Sequence, residues 1–216
     1  DWETKTLNNH RIWQTLVHPQ DVNQTNMVAS ISNITKVMNE TKKFPELDAM
    51  MFSTIYSLRN AQKAITAETA DLTANTVLTK FDTMMDAMDE ALVPVSGRVL
   101  YCDTYTKTLI DNAIAIVRNN GDKKLARNVS RIEEVDIVSV PTALFKTEYT
   151  FNDGKTSGQT DGGFVAKSTA KDIAMILLHP SAILPIVSYS FAQLQPPSAL
   201  SQGKYVYFEE SFEDVF

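Results

Sequence analysis

The stretch from Phe81 to Ile110, FDTMMDAMDEALVPVSGRVLYCDTYTKTLI, predicts a helix, a tight turn, a buried strand and a second helix in close succession. Apolar residues recur at helical spacing from Thr76 to Leu92, and Pro94 to Gly97 then predict a turn. Arg98 to Cys102 is apolar on both faces, which indicates a strand covered on both sides. Asp103 is placed to cap the second helix. This order predicts a compact domain that mixes helices and strands.

The N-terminal residues suggest a β-hairpin. Trp2 to Leu7 and Arg11 to Val17 are β-prone runs joined by two asparagines, which tolerate the positive φ of a tight turn. In that register Trp13 faces Thr4 and lies diagonal to Trp2, so both tryptophans share one face. Two interpretations stay open. The hairpin packs into the core of its own subunit, or it projects and buries its Trp face against a neighbouring subunit.

A long helix is predicted next. Asp21 can cap a helix from about Val22 to Thr41, in which Met27 belongs to the apolar stripe. Phe44-Pro45 is predicted to end this helix, because proline cannot donate a helical hydrogen bond, and to start another.

The C-terminal half is predicted to be rich in strands. Ser130 to Val140 reads as a strand, Asp172 to Leu178 as a central strand, Ile183 to Leu194 as a core segment and Lys204 to Phe216 as a final aromatic strand. Asn152 to Gly163, NDGKTSGQTDGG, must be an exposed loop. A mobile surface loop is commoner than a binding site at such a position.

Composition narrows the functional classes. The 216 residues carry a net charge of −6 without a dense basic cluster, so we expect no binding to nucleic acid through its phosphates. Cys102 is the single cysteine, which excludes a disulfide within the chain and suits a reducing compartment. No apolar run approaches the length needed to span a bilayer. Because residue 1 is not Met, we expect a fragment or a processed product.

No motif for catalysis is evident. The three histidines lie in separate segments without partners at metal-ligand spacing, and the sequence has no nucleophile elbow, phosphate loop or dinucleotide fingerprint. We therefore predict no enzyme activity, no catalytic, metal or cofactor-binding residue and no cofactor. The acidic run that includes Glu209, Glu210, Glu213 and Asp214 could hold calcium or a basic neighbour, or could simply discourage aggregation of strands.

Three stretches carry a resemblance to a known family. The run MDEALVPVSGRVLYCDTYTKTLIDNA resembles the helix, turn, strand and helix of the major capsid proteins of tailed bacteriophages, which have the Hong Kong 97-type coat fold. HPQDVNQTNMVASISNITKVMNETKKFPELDA near the start fits the same family. So does AKDIAMILLHPSAILPIV followed by YVYFEESFEDVF near the end, and the three stretches follow the family's order.

The resemblance implies an α+β coat subunit. Residues 1–20 would be a β-hairpin arm from an extended loop, residues 21–93 and 186–216 a peripheral lobe with a long spine helix, and residues 94–185 an axial lobe with a mixed sheet flanked by helices. An N-terminal arm and the outgoing half of the extended loop would lie before residue 1. The residues that we expect at subunit interfaces are Trp2, Trp13, Asp21, Met27, Asn152, Gly154 and Gly158.

The implied function is structural. Such subunits self-associate into pentamers and hexamers of an icosahedral phage or prophage head around DNA, assemble in the cytoplasm of the host bacterium and end in the virion. Portal, scaffold or protease would be assembly partners, and no membrane or sequence-specific nucleic-acid binding is expected. Some coat proteins of this family join their subunits by a lysine–asparagine crosslink, but no local pattern in this sequence indicates which residues would form it.

Two alternatives stay open. One is an encapsulin-like bacterial nanocompartment, which has the same fold and encloses protein cargo. The other is a small α/β enzyme or ligand-binding module with its site near the loop from Asn152 to Gly163.

Overall fold

The computed structural model describes residues 4–62, 71–118 and 129–216, and these divide into two compact units. The first unit comprises residues 1–47 and 184–216, and the second comprises residues 48–183. The helices are α1 (Pro19–Gln24), α2 (Ile31–Met38), α3 (Phe44–Ala61), α4 (Val77–Glu90) and α5 (Thr104–Arg118). The strands are β1 (His10–Val17), β2 (Val99–Asp103), β3 (Arg131–Ile132), β4 (Val135–Val140), β5 (Tyr149–Phe151), β6 (Phe164–Ala166), β7 (Met175–Leu178), β8 (Pro185–Gln195) and β9 (Tyr205–Val215).

The first unit contains a three-stranded antiparallel sheet in the order β1-β9-β8. The hairpin predicted at the N-terminus is therefore wrong. Residues 4–9 form no strand, and β1 pairs with β9, so that Trp13 lies opposite Glu209 and not Thr4. The reason is that β9 offers β1 a long partner, whereas an isolated two-stranded ribbon is marginal. Trp2 lies outside the described residues.

The helical segment after β1 is interrupted earlier than predicted. α1 is short and is capped by the imidazole of His18, which accepts from the Gln20 N–H at 3.1 Å, so Asp21 lies within the first turn and is not the cap. Asn26 and Met27 then adopt positive φ of 52° and 69°, and a new helix starts after Ser30. A left-handed backbone cannot continue an α-helix. The predicted helix from Val22 to Thr41 is therefore two helices.

The predicted break at Phe44-Pro45 does not occur. The chain stays helical from α2 through a five-residue π-helical turn, Asn39–Lys43, into α3. In this turn the Phe44 N–H donates to the Asn39 carbonyl, which is the i to i−5 pattern. Because Pro45 has no N–H, a widened turn just before it lets the helix continue without a hydrogen bond from that residue.

The second unit is built on a mixed sheet in the order β3-β4-β2-β7. β2 pairs parallel with β4 and antiparallel with β7. Its two neighbours confirm the strand predicted at Arg98 to Cys102, and the Thr106 N–H donates to Asp103 at 2.9 Å, which confirms the predicted cap of α5. The main core lies between this sheet, α4 and α5, and includes Val77, Phe81, Met85, Leu100, Cys102, Ile110, Ala113 and Val135. The mixed α+β architecture is thereby confirmed.

Two predictions about the C-terminal strands are wrong. The segment from Asp172 to Leu178 provides β7, which is an edge strand of the described sheet and not a central one. The segment from Ile183 to Leu194 provides β8, whose side chains are almost all exposed. Apolar composition suggested burial in both cases, but composition alone does not tell which surface covers a strand. A second core, formed by Phe52, Val140, Phe145 and Ile173, lies elsewhere in the second unit.

Arg98 fastens the turn between α4 and β2. Its side chain is fully buried, and the guanidinium donates to the carbonyls of Val93 and Pro94 and to Asp89 at 2.6 Å. These carbonyls follow the end of α4, where no further helical N–H is available. A buried cation is tolerated because its donors are satisfied by these acceptors. Arg98 thus connects the end of a helix to the start of the central strand.

We expect Arg98→Ala to lower the free energy of unfolding by about 3 kcal/mol, since it leaves a cavity and removes the donors for two carbonyls. Asp89→Ala is the matched control. The Asp89 side chain is 56% exposed, so water can take its place beside the guanidinium, and its loss should cost only about 1 to 2 kcal/mol. Urea unfolding of both variants measures the difference, and equal costs would show that the ion pair rather than the carbonyls carries the effect.

Cys102 is fully buried in β2, and burial raises the pKa of its thiol to about 11. Since the thiolate is the reactive form, we expect a thiol reagent at pH 8 to label the native protein far more slowly than the protein unfolded in urea. Absorbance of the released chromophore follows both reactions. Native labelling at the unfolded rate would contradict the burial of β2.

Candidate subunit-interaction surfaces

One face of the first unit's sheet holds a buried polar network around Glu209. Lys43 Nζ lies 2.7 Å from Glu209 Oε1 and 3.1 Å from Glu213 Oε1. Trp13 Nε1 donates to Glu209 Oε2 at 3.1 Å, and the Tyr207 hydroxyl donates to the same oxygen at 3.0 Å. This network ties β1, β9 and the π-helical turn together within one unit.

The charges of this network are set by a competition between burial and pairing. Burial alone would raise the pKa of Glu209, but the hydrogen bonds from Lys43, Trp13 and Tyr207 outweigh it and hold the pKa below its usual value. Burial likewise opposes the charge on Lys43, yet the two glutamates raise the pKa of this amine above its usual value. Both groups are therefore charged at neutral pH, and the charge of Lys43 is paired with that of Glu209.

The opposite face of the same sheet is open. It carries Ile12 and Leu16 from β1, Phe208 and Phe212 from β9, and Tyr189 and Phe191 from β8. The His10 ring stacks on Phe212 at 4.1 Å, and its Nε2 lies 2.8 Å from Glu210 Oε1. A cleft of about 300 Å³ on this face is lined by Gln14, Gln193, Gln195, Val206 and Phe208. None of these lining residues can act as an acid, a base or a nucleophile, so the cleft offers no catalytic chemistry.

The loop from Asn152 to Gly163 connects β5 and β6 and is ordered by its own hydrogen bonds. Asn152 donates two hydrogen bonds to the far end of the loop, one from its backbone N–H to the Gly163 carbonyl and one from its side-chain amide to the Gly162 carbonyl. The Asp153 carboxylate accepts from the hydroxyl of Thr156 and from two backbone N–H groups, which lowers its pKa to about 2. These hydrogen bonds, all within the loop, hold its conformation.

The predicted interface residues are distributed over both units. Trp13 is half-buried and bonded to Glu209, while Asp21 and Met27 lie on the exposed segment around α1. Asn152, Gly154 and Gly158 share the β5–β6 loop. The two glycines have positive φ, and beyond their chain neighbours no heavy atom lies within 4 Å of the position that a Cβ would occupy. The role of these residues at interfaces stays a prediction.

Sequence reasoning missed Lys43 and the exposed aromatic residues Tyr189 and Phe191. Lys43 lies 166 positions from Glu209, so no local pattern connects them. The signal for β8 is present in the sequence. No Asp, Glu, Lys or Arg occurs from Ile173 to Gly203, and this absence, which is typical of a core, also fits a surface covered by another molecule.

Within the described ranges, no cluster of three or more His, Cys, Asp or Glu residues is arranged to hold a metal ion. None of the helices in those ranges combines the length and the apolar character that crossing a bilayer requires.

Comparison with solved structures identifies the fold. A chain from Mycobacterium phage Che8 matches with a TM-score of 0.54 at 11% sequence identity, over 97% of this chain and 66% of that one. A chain of the bacteriophage PhiM1 mature capsid matches with a TM-score of 0.54 at 11% identity, over 100% of this chain and 71% of that one. The capsid of Cyanophage P-SCSP1u gives 0.55 at 12% identity, over 95% and 68%.

This chain has the fold of phage capsid proteins. It spans about two thirds of the length of the solved chains it matches. No protein-family model and no characterised protein sequence matches it. The general resemblance to phage coat proteins is thus confirmed at the level of fold, whereas the Hong Kong 97 type and the boundaries of the three predicted regions stay predictions.

We expect the Glu209 network to make the free energy of unfolding decrease at acidic pH. Because the pKa of Glu209 is lower in the folded protein than its usual 4.5, its ionised form stabilises the fold above that pH. This stabilisation is lost as the pH falls through the folded value. Glu209→Gln should therefore show a smaller loss of unfolding free energy between pH 6 and pH 3 than the wild type. Trp13→Phe removes one of the hydrogen bonds that lower the pKa of Glu209 and should give a loss between those two. Equal losses in Glu209→Gln and the wild type would contradict this account.

Proposed function

We propose that this chain is a major capsid subunit of a tailed phage or prophage. The observation that carries the proposal is the match of nearly the whole chain to chains of solved phage capsids. Fold alone does not fix function, so the surfaces must also suit the role. A large exposed apolar strand and an open apolar sheet face on one unit suit a protein that works in contact with others.

The subunits would assemble into pentamers and hexamers of an icosahedral head. Heterologous contacts around a ring close each capsomer, and further contacts join the rings into a shell. DNA would be enclosed without being gripped, because the net charge is −6. The role is structural and not enzymatic. Assembly would take place in the host cytoplasm with portal, scaffold or protease as partners, and the product would be the virion.

The test is expression in bacteria of the complete gene, with any residues that it encodes on either side of this chain. We expect particles that sediment as closed shells in a sucrose gradient and show five- and six-fold capsomers by electron microscopy. A protein that remains monomeric at every concentration would contradict the proposal. Particles that contain a specific cargo protein, in cells that lack phage genes, would favour the nanocompartment instead.

A further inference from the structure

Strand β8 has an unpaired edge. It is the outermost strand of the three-stranded sheet, whose order is β1-β9-β8. Among the described residues, no strand pairs with β8 on the side away from β9. It is 11 residues long, so its outer row of N–H and C=O groups is a ready template for another strand.

The usual protections of an edge strand are absent from most of β8. Folded proteins protect such edges with charged side chains, prolines, bulges or short strands. β8 has a proline only at its first position and an irregularity only between Val187 and Tyr189, and it carries no charged residue. Its apolar side chains are exposed, with Val187 at 62%, Leu194 at 54% and Tyr189 at 47%. Such a strand would aggregate unless another chain covered it.

We propose that β8 pairs antiparallel with β8 of a second copy of this chain across a two-fold axis. The inference rests on the proposed function and specifies one of its contacts. Rings of subunits are closed by heterologous contacts, whereas an isologous contact of this kind joins a subunit of one ring to a subunit of the next. A single pair of edges buries little area, and its strength in a shell would come from the many copies acting together.

Charge argues for a second copy as the occupant. Each copy has a net charge of −6, so most approaches of two copies are opposed by repulsion. The uncharged segment from Ile173 to Gly203 is the longest in the sequence and contains all of β8. Two copies can therefore meet edge to edge along β8 without placing like charges opposite each other.

The other free edge of the sheet is a less suitable partner. β1 carries Arg11 and His10. It also runs parallel to β8, because both strands are antiparallel to β9. If two copies in the same orientation joined their sheets through β8 of one and β1 of the other, these two strands would be parallel. A parallel pair is slightly less stable per residue than an antiparallel pair.

The register follows from the side-chain faces. A two-fold axis perpendicular to the sheet keeps each face continuous, so residues of the same face must lie opposite each other. Pairing centred on Ser190 meets this condition from Tyr189 to Phe191 and uses the middle of the segment between Pro185 and Pro196, and the irregularity between Val187 and Tyr189 ends the regular ladder there. It also places Tyr189 opposite Phe191 of the partner subunit on the open face, twice by symmetry. Cross-strand aromatic pairs are among the favourable ones in sheets.

Crosslinking by cysteine tests this register. Two Ser190→Cys side chains on the axis would have Cα atoms about 5 Å apart, which is within the range of a disulfide. Gln193→Cys is the matched control on the same strand. It lies three residues from the axis, so its two copies would be about 20 Å apart. The native Cys102 is buried and should not take part.

The complete gene product is expressed with each substitution, oxidised and analysed by non-reducing electrophoresis, both as sedimented particles and as unassembled protein. We expect Ser190→Cys to give more than about half of the particle protein as a covalent dimer and Gln193→Cys to give less than about a tenth. Particles without a Ser190 crosslink would overturn the strand pairing and leave the proposed function standing. A crosslinked dimer that never forms particles would support the pairing and contradict the proposed function, whereas the absence of both would contradict both.

A second pair of variants tests independently whether a second copy of β8 covers the free edge. Ser190→Lys would place two ammonium groups together at the axis, and we expect it to lower the particle yield at least tenfold. Thr83→Lys adds the same charge at an exposed position of α4, and we expect the yield to change less than twofold. A loss of equal size in both variants, with the folded subunit retained by circular dichroism, would show that the added charge itself and not its place on β8 lowers the yield, and would overturn the proposal.

Discussion

The pairing of β1 with β9 is the constraint on which the first unit depends. His10 lies opposite Phe212 and Val17 opposite Tyr205, so strands from the two ends of the sequence share one ladder. The second unit, residues 48–183, is contained in the intervening chain. Such non-local pairing has a high loop-closure cost and forms late unless other contacts support it. The Lys43 network supplies such a contact, because it holds the π-helical turn against β9.

The central position of β9 determines which chemistry faces outward. Glu209 and Glu213 are used within the unit to bind Lys43, so these acidic residues do not protect an edge. β8 is left at the edge with an uncharged sequence. The same arrangement that satisfies the charged residues inside the unit thus leaves an apolar strand in need of a partner. A self-assembling shell protein has a use for such a strand, whereas a monomeric enzyme would be expected to protect it.

Local signals in the sequence were sufficient for the segment from α4 to α5. The spacing of Val77, Phe81 and Met85, the turn at Pro94 and the cap at Asp103 all concern neighbours within a few positions, and the structure confirms each. The error at the N-terminus had the opposite cause. An Asn-Asn turn is a good local signal for a hairpin, but the long-range partner β9 supplied more paired length than residues 4–9 could.

The interaction surfaces were harder to predict for a physical reason. A positive φ at Met27 is rarely encoded by a residue with a side chain, so the break between α1 and α2 left no trace in the pattern. The burial of β8 was mispredicted because hydrophobic side chains indicate only that a strand avoids water. They do not indicate whether its own subunit or another molecule covers it.

The central claim, that this chain is a building block of a phage head, is tested most directly by quantitative mass spectrometry of virions purified from cells that carry the gene. A shell needs many copies of its subunit, and every other component is expected to be present in fewer. We expect peptides of this chain to be the most abundant in particles that contain DNA. An icosahedral shell built of pentamers and hexamers requires on the order of hundreds of copies per particle. Absence of these peptides from purified virions, in cells that express the chain, would contradict the claim.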